Sequence, residues 1–418
     1  MIRENIKGIT LLALVLTIVI LIILSTITIN FTFGDNGLIK RAEQAKDYYA
    51  NDTSYTDESI TNVESYLDKI ISENDMPILK MSEAKRKEKF EEKTIVIDEK
   101  NNEIIVPEGF KIAEDSGNTV QQGIVIEDVS ASGDVYVQGS QFVWIPVGKF
   151  IKDDKTEVEI TLGRYTFDTT NGTPHLEQPA YTESNPTNYE NSVVLEGPDG
   201  LQYYSEIAGE HRDGVASSGT DGLNATAKNL AAFVDSVKTN GGYYIGRYEA
   251  SFASGTSVDN YKATTRVSTA NSEDSMSYSS RILWNYITQL DASKVAINTY
   301  NGTSVESDLM NSYAWDTAIV YIQEATGLDY ANKTSANSGS LANTGTTGDE
   351  VCKINDMASN LWEWTTEYSN RSDGNDTYPC MGRGGICFDS FAYVVHRGSI
   401  VATHSSYDVG FRLIIYIH

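Results

Sequence analysis

The chain predicts an α+β fold with short strands, two main helices and much irregular structure. Strand-like runs are the first observation. From Thr94 onward, TIVIDEKNNEIIVPEGF and GIVIEDVSASGDVYVQGSQFVWIPVGKF set β-branched and aromatic residues between Gly, Asn and Asp turns. Helical spacing is the second. Residues 230–237 and 312–326 carry it, and in the latter Tyr313, Trp315, Ile319 and Ile322 make an apolar stripe. The third is the polar, Ser/Gly/Thr/Asn-rich composition of 187–227 and 335–348, which predicts long loops.

Composition narrows the class of function. At 418 residues the chain has room for one large domain or two ordinary ones beyond an anchor. With 40% hydrophobic and 10% aromatic residues it is globular, not disordered. A formal net charge of −26 repels phosphate backbones, so no nucleic acid is expected as a partner. The 25 tyrosines, among many Asn, Ser, Thr and Gly, suit a recognition surface. Cys352, Cys380 and Cys387 are odd in number and form no CxxC pair, which excludes a disulfide framework and zinc spacing. A Cys352–Cys380 bridge stays open as an alternative for an exported protein.

The amino terminus sets the compartment. From Ile9 to Ile29 the chain reads ITLLALVLTIVILIILSTITI without a charge, long enough to cross a bilayer as a helix. Arg3 and Lys7 precede it and Asp35 follows. The positive-inside rule then leaves the short N-terminus in the cytoplasm and makes this a single-pass cell-membrane protein with its bulk outside. The apolar run starts directly after Gly8 and no small-residue cleavage site follows, unlike a secretory signal. The pattern KG-ITLLALVLTIVILIIL resembles the leader of type IV prepilins. That resemblance implies cleavage by a prepilin peptidase between Gly8 and Ile9, and a pilin-like assembly as a partner. The family's Glu at the fifth mature position is Ala13 here. The plainer alternative is an unprocessed anchor.

The turn GDNG at 34–37 interrupts this helix, and 38–50 continue it. Ile60, Val63, Leu67, Ile70 and Ile71 recur at helical spacing, and 82–93 (SEAKRKEKFEEK) read as a solvated helix or stalk. The expected organisation is a leader at 1–8, a pilin-like helix at 9–50, a polar helical stalk at 51–103 and a large domain at 104–418.

Four pieces of that domain stand out in order: QFVWIPVGKFI from Gln141, GYYIGRYEASF from Gly242, NDMASNLWEWTT from Asn355, and Arg383-Gly384-Gly385 followed by Gly410-Phe411-Arg412-Leu413. Read physically, Trp362 and Trp364 alternate with Glu363 as on a strand with one aromatic face. The two glycines permit tight backbone packing. Arg412 reads as one half of a buried ion pair. As a set the pieces resemble the formylglycine-generating-enzyme-like (sulfatase-modifying factor) family, which has a C-type-lectin-type fold, from about Val106 onward. The resemblance implies a structural calcium held by the side chains of Asp356 and Glu363 and the carbonyls of Ser359 and Leu361. The alternative is that the two carboxylates make hydrogen bonds or salt bridges without metal.

The family's reactive groups are missing. Its oxidase members need two cysteines after the RGG motif to bind copper, and here Cys387 stands alone. His175, His211, His396, His404 and His418 do not form the His-x-x-x-His-x-Glu set of its iron-dependent relatives. Nucleophile elbow, P-loop and HExxH are absent too. No catalytic residue and no required cofactor is expected.

The segment 386–409, ICFDSFAYVVHRGSIVATHSSYDV, contains no Lys, Gln, Glu, Met or Trp. Codons ending in C cannot encode those residues, and adenine-directed mutagenesis of AAC codons yields this restricted alphabet. The arrangement resembles variable proteins of diversity-generating retroelements; chance omission is the alternative. The resemblance implies a changing ligand face built from Ile386, Phe388, Asp389, Ser390, Phe391, Tyr393, His396, Ser399, His404, Ser406, Tyr407 and Asp408. Its partner would be a protein or glycan. The expected function is therefore adhesin-like ligand binding at the cell surface. An exported enzyme of unknown activity and a structural minor pseudopilin are the alternatives.

Overall fold

The carboxy-terminal run Leu413–Ile417 (LIIYI) has no polar side to turn to water, and every residue of it is buried. It can only be an inner strand. In the computed structural model it lies between Val305–Leu309 and Gly242–Gly246. Gln141–Pro146, Val125–Asp128 and Phe110–Ile112 complete this six-stranded antiparallel sheet. Alternation gives it two covered faces. The Tyr243 hydroxyl donates to Ala314 O of the helix Ser312–Thr326, at 2.7 Å. That of its neighbour Tyr244 donates to Ile105 O on the other side, at 2.9 Å.

The structure describes residues 76–418 except 191–193, 197–201, 205–229, 272–281, 303, 370–371, 374–375 and 390–391. The leader, the apolar stretch from Ile9 to Ile29 and the stalk up to residue 75 lie outside the described residues. Among those described, no helix is long and apolar enough to cross a membrane. The fold is β-rich, with few helices.

A second six-stranded sheet carries the remaining motifs. Its order is Val194–Glu196, Gln202–Tyr204, Trp362–Ser369, Cys380–Arg383 and Arg397–Ile400, with Val409–Phe411 pairing in parallel along Trp362–Ser369. The chain passes from this sheet to the first at one residue, Arg412. The guanidinium ties the sheets together. Nε and Nη2 grip the Glu363 carboxylate at 3.0 and 2.6 Å, while Nη1 and Nη2 reach Gly246 O and Asn355 O at 2.7 and 2.8 Å.

Both expected helices form. Ser312–Thr326 is capped by Asn311, whose side chain accepts from Ala314 N at 2.9 Å, and closed by Gly327 at φ 72°. Leu230–Asn240 runs three residues past its expected end. A third helix, Gln289–Thr299, was not expected. Its inner face is made of Ala292, Val295, Ala296 and Thr299, too small for a strong apolar signal. The readable clue was the Thr288-x-x-Asp291 start: Thr288 Oγ accepts from Asp291 N at 3.2 Å.

The expected stalk at 51–103 needs correction over its described part. Residues from Met76 onward belong to the same compact unit as the C-terminus. Ile78–Lys80, Thr94–Ile97 and Glu103–Val106 form a three-stranded sheet, and Phe90 is buried. The helix in the charge run is only Met81–Ala84. Alternating charges hid the apolar residues Met81, Ala84 and Phe90, which the core takes up. Cys352, Cys380 and Cys387 are all unbridged, so the Cys352–Cys380 alternative does not hold.

Candidate binding face

The segment 386–409 is fixed at both ends. At its start, Gly384 has φ 90°, and a Cβ on Gly385 would stand 1.9 Å from Ala358 O. Only glycine lets the RGG turn lie this close to the NDMASN loop. That loop turns through left-handed Asp356 (φ 68°) and Asn360 (φ 69°), residue types that tolerate the conformation. Asn360 O then accepts from Cys387 N at 3.1 Å. Glu249 holds the loop from beneath, accepting from Asn360 Nδ2 at 2.7 Å and Leu361 N at 3.1 Å. At the far end, Asp408 O accepts from Trp362 N at 3.1 Å as the chain enters the second sheet.

Inside the segment, Arg397–Ile400 pairs with Cys380–Arg383. Arg397 joins a buried ionic cluster with Asp316, Glu367, Arg164 and Arg383. Burial pushes the Glu367 carboxyl up, but Arg397, Arg383 and Arg164 together outweigh it and hold the group well below the usual range. The segment thus contains its own foundation.

What remains exposed is a subset of the expected residues. Phe388, Tyr393 and Tyr407 are 43%, 40% and 45% accessible. Phe388 and Tyr407 meet edge to face with centroids 5.0 Å apart. Asp389 and His396 are exposed, and His396 stacks on Trp362 at 5.7 Å. His404 Nε2 lies 3.3 Å from Asp408 Oδ1, and Ser399 and Ser406 are half-buried. Ile386 is 4% accessible and is corrected from the face to the core. Ser390 and Phe391 lie outside the described residues. Sequence reasoning missed Thr403 and Ser405, both exposed; alternation with Ala402 and His404 could have found them.

The four residues of the calcium expectation are all buried. Glu363 is gripped by Arg412, while Asp356 accepts from Gly345 N and Thr347 Oγ1, each at 2.6 Å. Each carboxylate thus has protein donors of its own. Ser359 Oγ accepts from Ala336 N at 2.8 Å. Among the described residues no group of three or more His, Cys, Asp or Glu side chains converges. Burial pushes the Asp356 carboxyl up to about 6, against the hydrogen bonds from Thr347 and Gly345. Burial and the charges of Asp356 and Glu363 raise Glu249 well above the ordinary range. Burial likewise pushes the Cys380 and Cys387 thiols up to about 12, so neither is a thiolate near neutral pH.

No family model matches the chain, and no curated protein matches it. Solved structures that resemble it include Treponema denticola variable protein 1, at 13% identity and a TM-score of 0.27, over 66% of this chain and 96% of that one. Major Tropism Determinant I1 variant is similar at 12% identity and a TM-score of 0.26, over 82% and 99%. CarF is similar at 13% and a TM-score of 0.30, over 42% and 87%.

Proposed function

We propose that this protein is a surface-displayed, adhesin-like binder whose recognition face is the exposed part of 386–409. The observation that carries the reading is the division of labour inside that segment. Buried Ile386, Val394 and Ile400 and the ion-paired Arg397 root it in the scaffold, while Phe388, Tyr393 and Tyr407 stand out. Exposed aromatics with polar neighbours supply contact area at small entropic cost, as adaptable paratopes do. Among the described residues nine large hydrophobics are exposed, and these three fall in this one short stretch. A protein or glycan ligand suits such a face. The uncharged stretch from Ile9 to Ile29 would anchor the chain in the membrane, with cleavage after Gly8 by a prepilin peptidase.

The restricted residue alphabet adds that the face is diversified by a retroelement. Sequencing this gene in sister isolates tests both halves of the reading. Substitutions should concentrate at Phe388, Asp389, Tyr393, His396, Thr403, Ser405 and Tyr407, and spare Ile386, Val394, Gly398 and Ile400. Changes scattered evenly along the chain, or an invariant segment, would overturn it.

A further inference from the structure

Beside this face lies a cavity of about 150 Å³ whose wall includes Ser405. A void of this size accommodates a single small ring or the head of one side chain. Tyr261, Trp284 and Tyr286 line it, with Tyr261 and Trp284 edge to face at 5.8 Å. Tyr286 sits at φ 54°, a left-handed conformation that a bulky residue adopts only when its surroundings enforce it. Here the enforcement is visible: Tyr286 N donates to Ser406 O at 2.9 Å, which fixes the residue against the segment.

The polar part of the wall holds one charged group. Asp291 lines the cavity, and among the described residues no hydrogen bond or ion pair reaches its carboxylate. Asn285 spends its amide hydrogens on Asn271 O and Tyr407 O, each at 2.9 Å, and so offers no donor. Three π-systems and an open carboxylate attract a positive group: the ring faces through their quadrupole, the carboxylate through charge.

We propose that the cavity is a cation pocket, and that it takes the ammonium or guanidinium head of a basic side chain on a protein ligand. This goes beyond the binding face and can fail separately from it. The test uses the full-length chain in detergent and saturation-transfer NMR. The probes are N-acetyl-lysine amide, N-acetyl-arginine amide, the uncharged isostere N-acetyl-norleucine amide, and N-acetylglucosamine. The two cationic amides should receive saturation and the norleucine amide should not. Asp291→Asn should weaken the lysine amide at least tenfold with an unchanged melting temperature, while Phe388→Ser leaves it bound. Lysine amide binding that survives Asp291→Asn would overturn the pocket. So would saturation of N-acetylglucosamine in place of the cations, or no saturation of any probe. None of these results bears on whether Phe388 and Tyr407 form a recognition face.

Discussion

At the scale of single residues, the buried charges are the least replaceable parts of the molecule. Arg412 is wholly buried and bonds Glu363, Gly246 O and Asn355 O at once. Arg412→Met keeps the volume but strands the Glu363 carboxylate, and losing one partner of a buried pair costs about 3–5 kcal/mol. A urea-derived stability that falls by less than about 0.5 kcal/mol would refute the clamp. Asp356 gives the opposite kind of test. Its folded carboxyl titrates at about 6, above the ordinary value of 3.8. The folded state therefore holds this proton more tightly than the unfolded chain does. The resulting stability is fully present below about 4, declines as pH rises, and is gone above about 6. Melting temperatures of wild type and Asp356→Asn between pH 4 and 7 should therefore diverge with rising pH, with the wild type losing ground. Parallel curves would show that the carboxyl is not shifted.

At the scale of elements, legibility followed side-chain size. The Ser312–Thr326 helix was readable to the residue because Trp315, Ile319 and Ile322 are large and Gly327 marks its end. Gln289–Thr299 was not, because alanine, valine and threonine bury its face without announcing it. Residues 82–93 misled in the other direction, since a dense charge run conceals Ala84 and Phe90, which enter the core. The motif glycines were legible as close contacts, though the surface they touch was not. Gly385 meets Ala358 O, a backbone atom that cannot move aside. Gly385→Ala should therefore cost about 2–3 kcal/mol by overpacking and shift the NDMASN loop. Hydrogen exchange at the Cys387 and Leu361 amides should speed up in this variant, and unchanged protection there would mean the turn has room to spare.

At the scale of the whole molecule, the sequence marked out 386–409 but not which of its residues face water. A restricted alphabet records how codons were chosen, whereas burial is decided by strands far away in the chain: Cys380–Arg383 covers one side of Arg397–Ile400. If scaffold and face are separable, stability and recognition should respond to different substitutions in the same stretch. Changing Phe388, Asp389, Tyr393 and Tyr407 to serine together removes the Phe388–Tyr407 ring contact and partly exposed area. Surface changes are individually small and an aromatic pair adds about 1 kcal/mol, so the set should cost about 1–3 kcal/mol. Ile400→Ala removes a buried side chain beside Gly382 and alone should cost about 2–4 kcal/mol. Urea midpoints at constant m-value read both. A fourfold face variant that costs more than about 4 kcal/mol would mean that the exposed aromatics hold the fold together, and a segment that does so cannot vary freely.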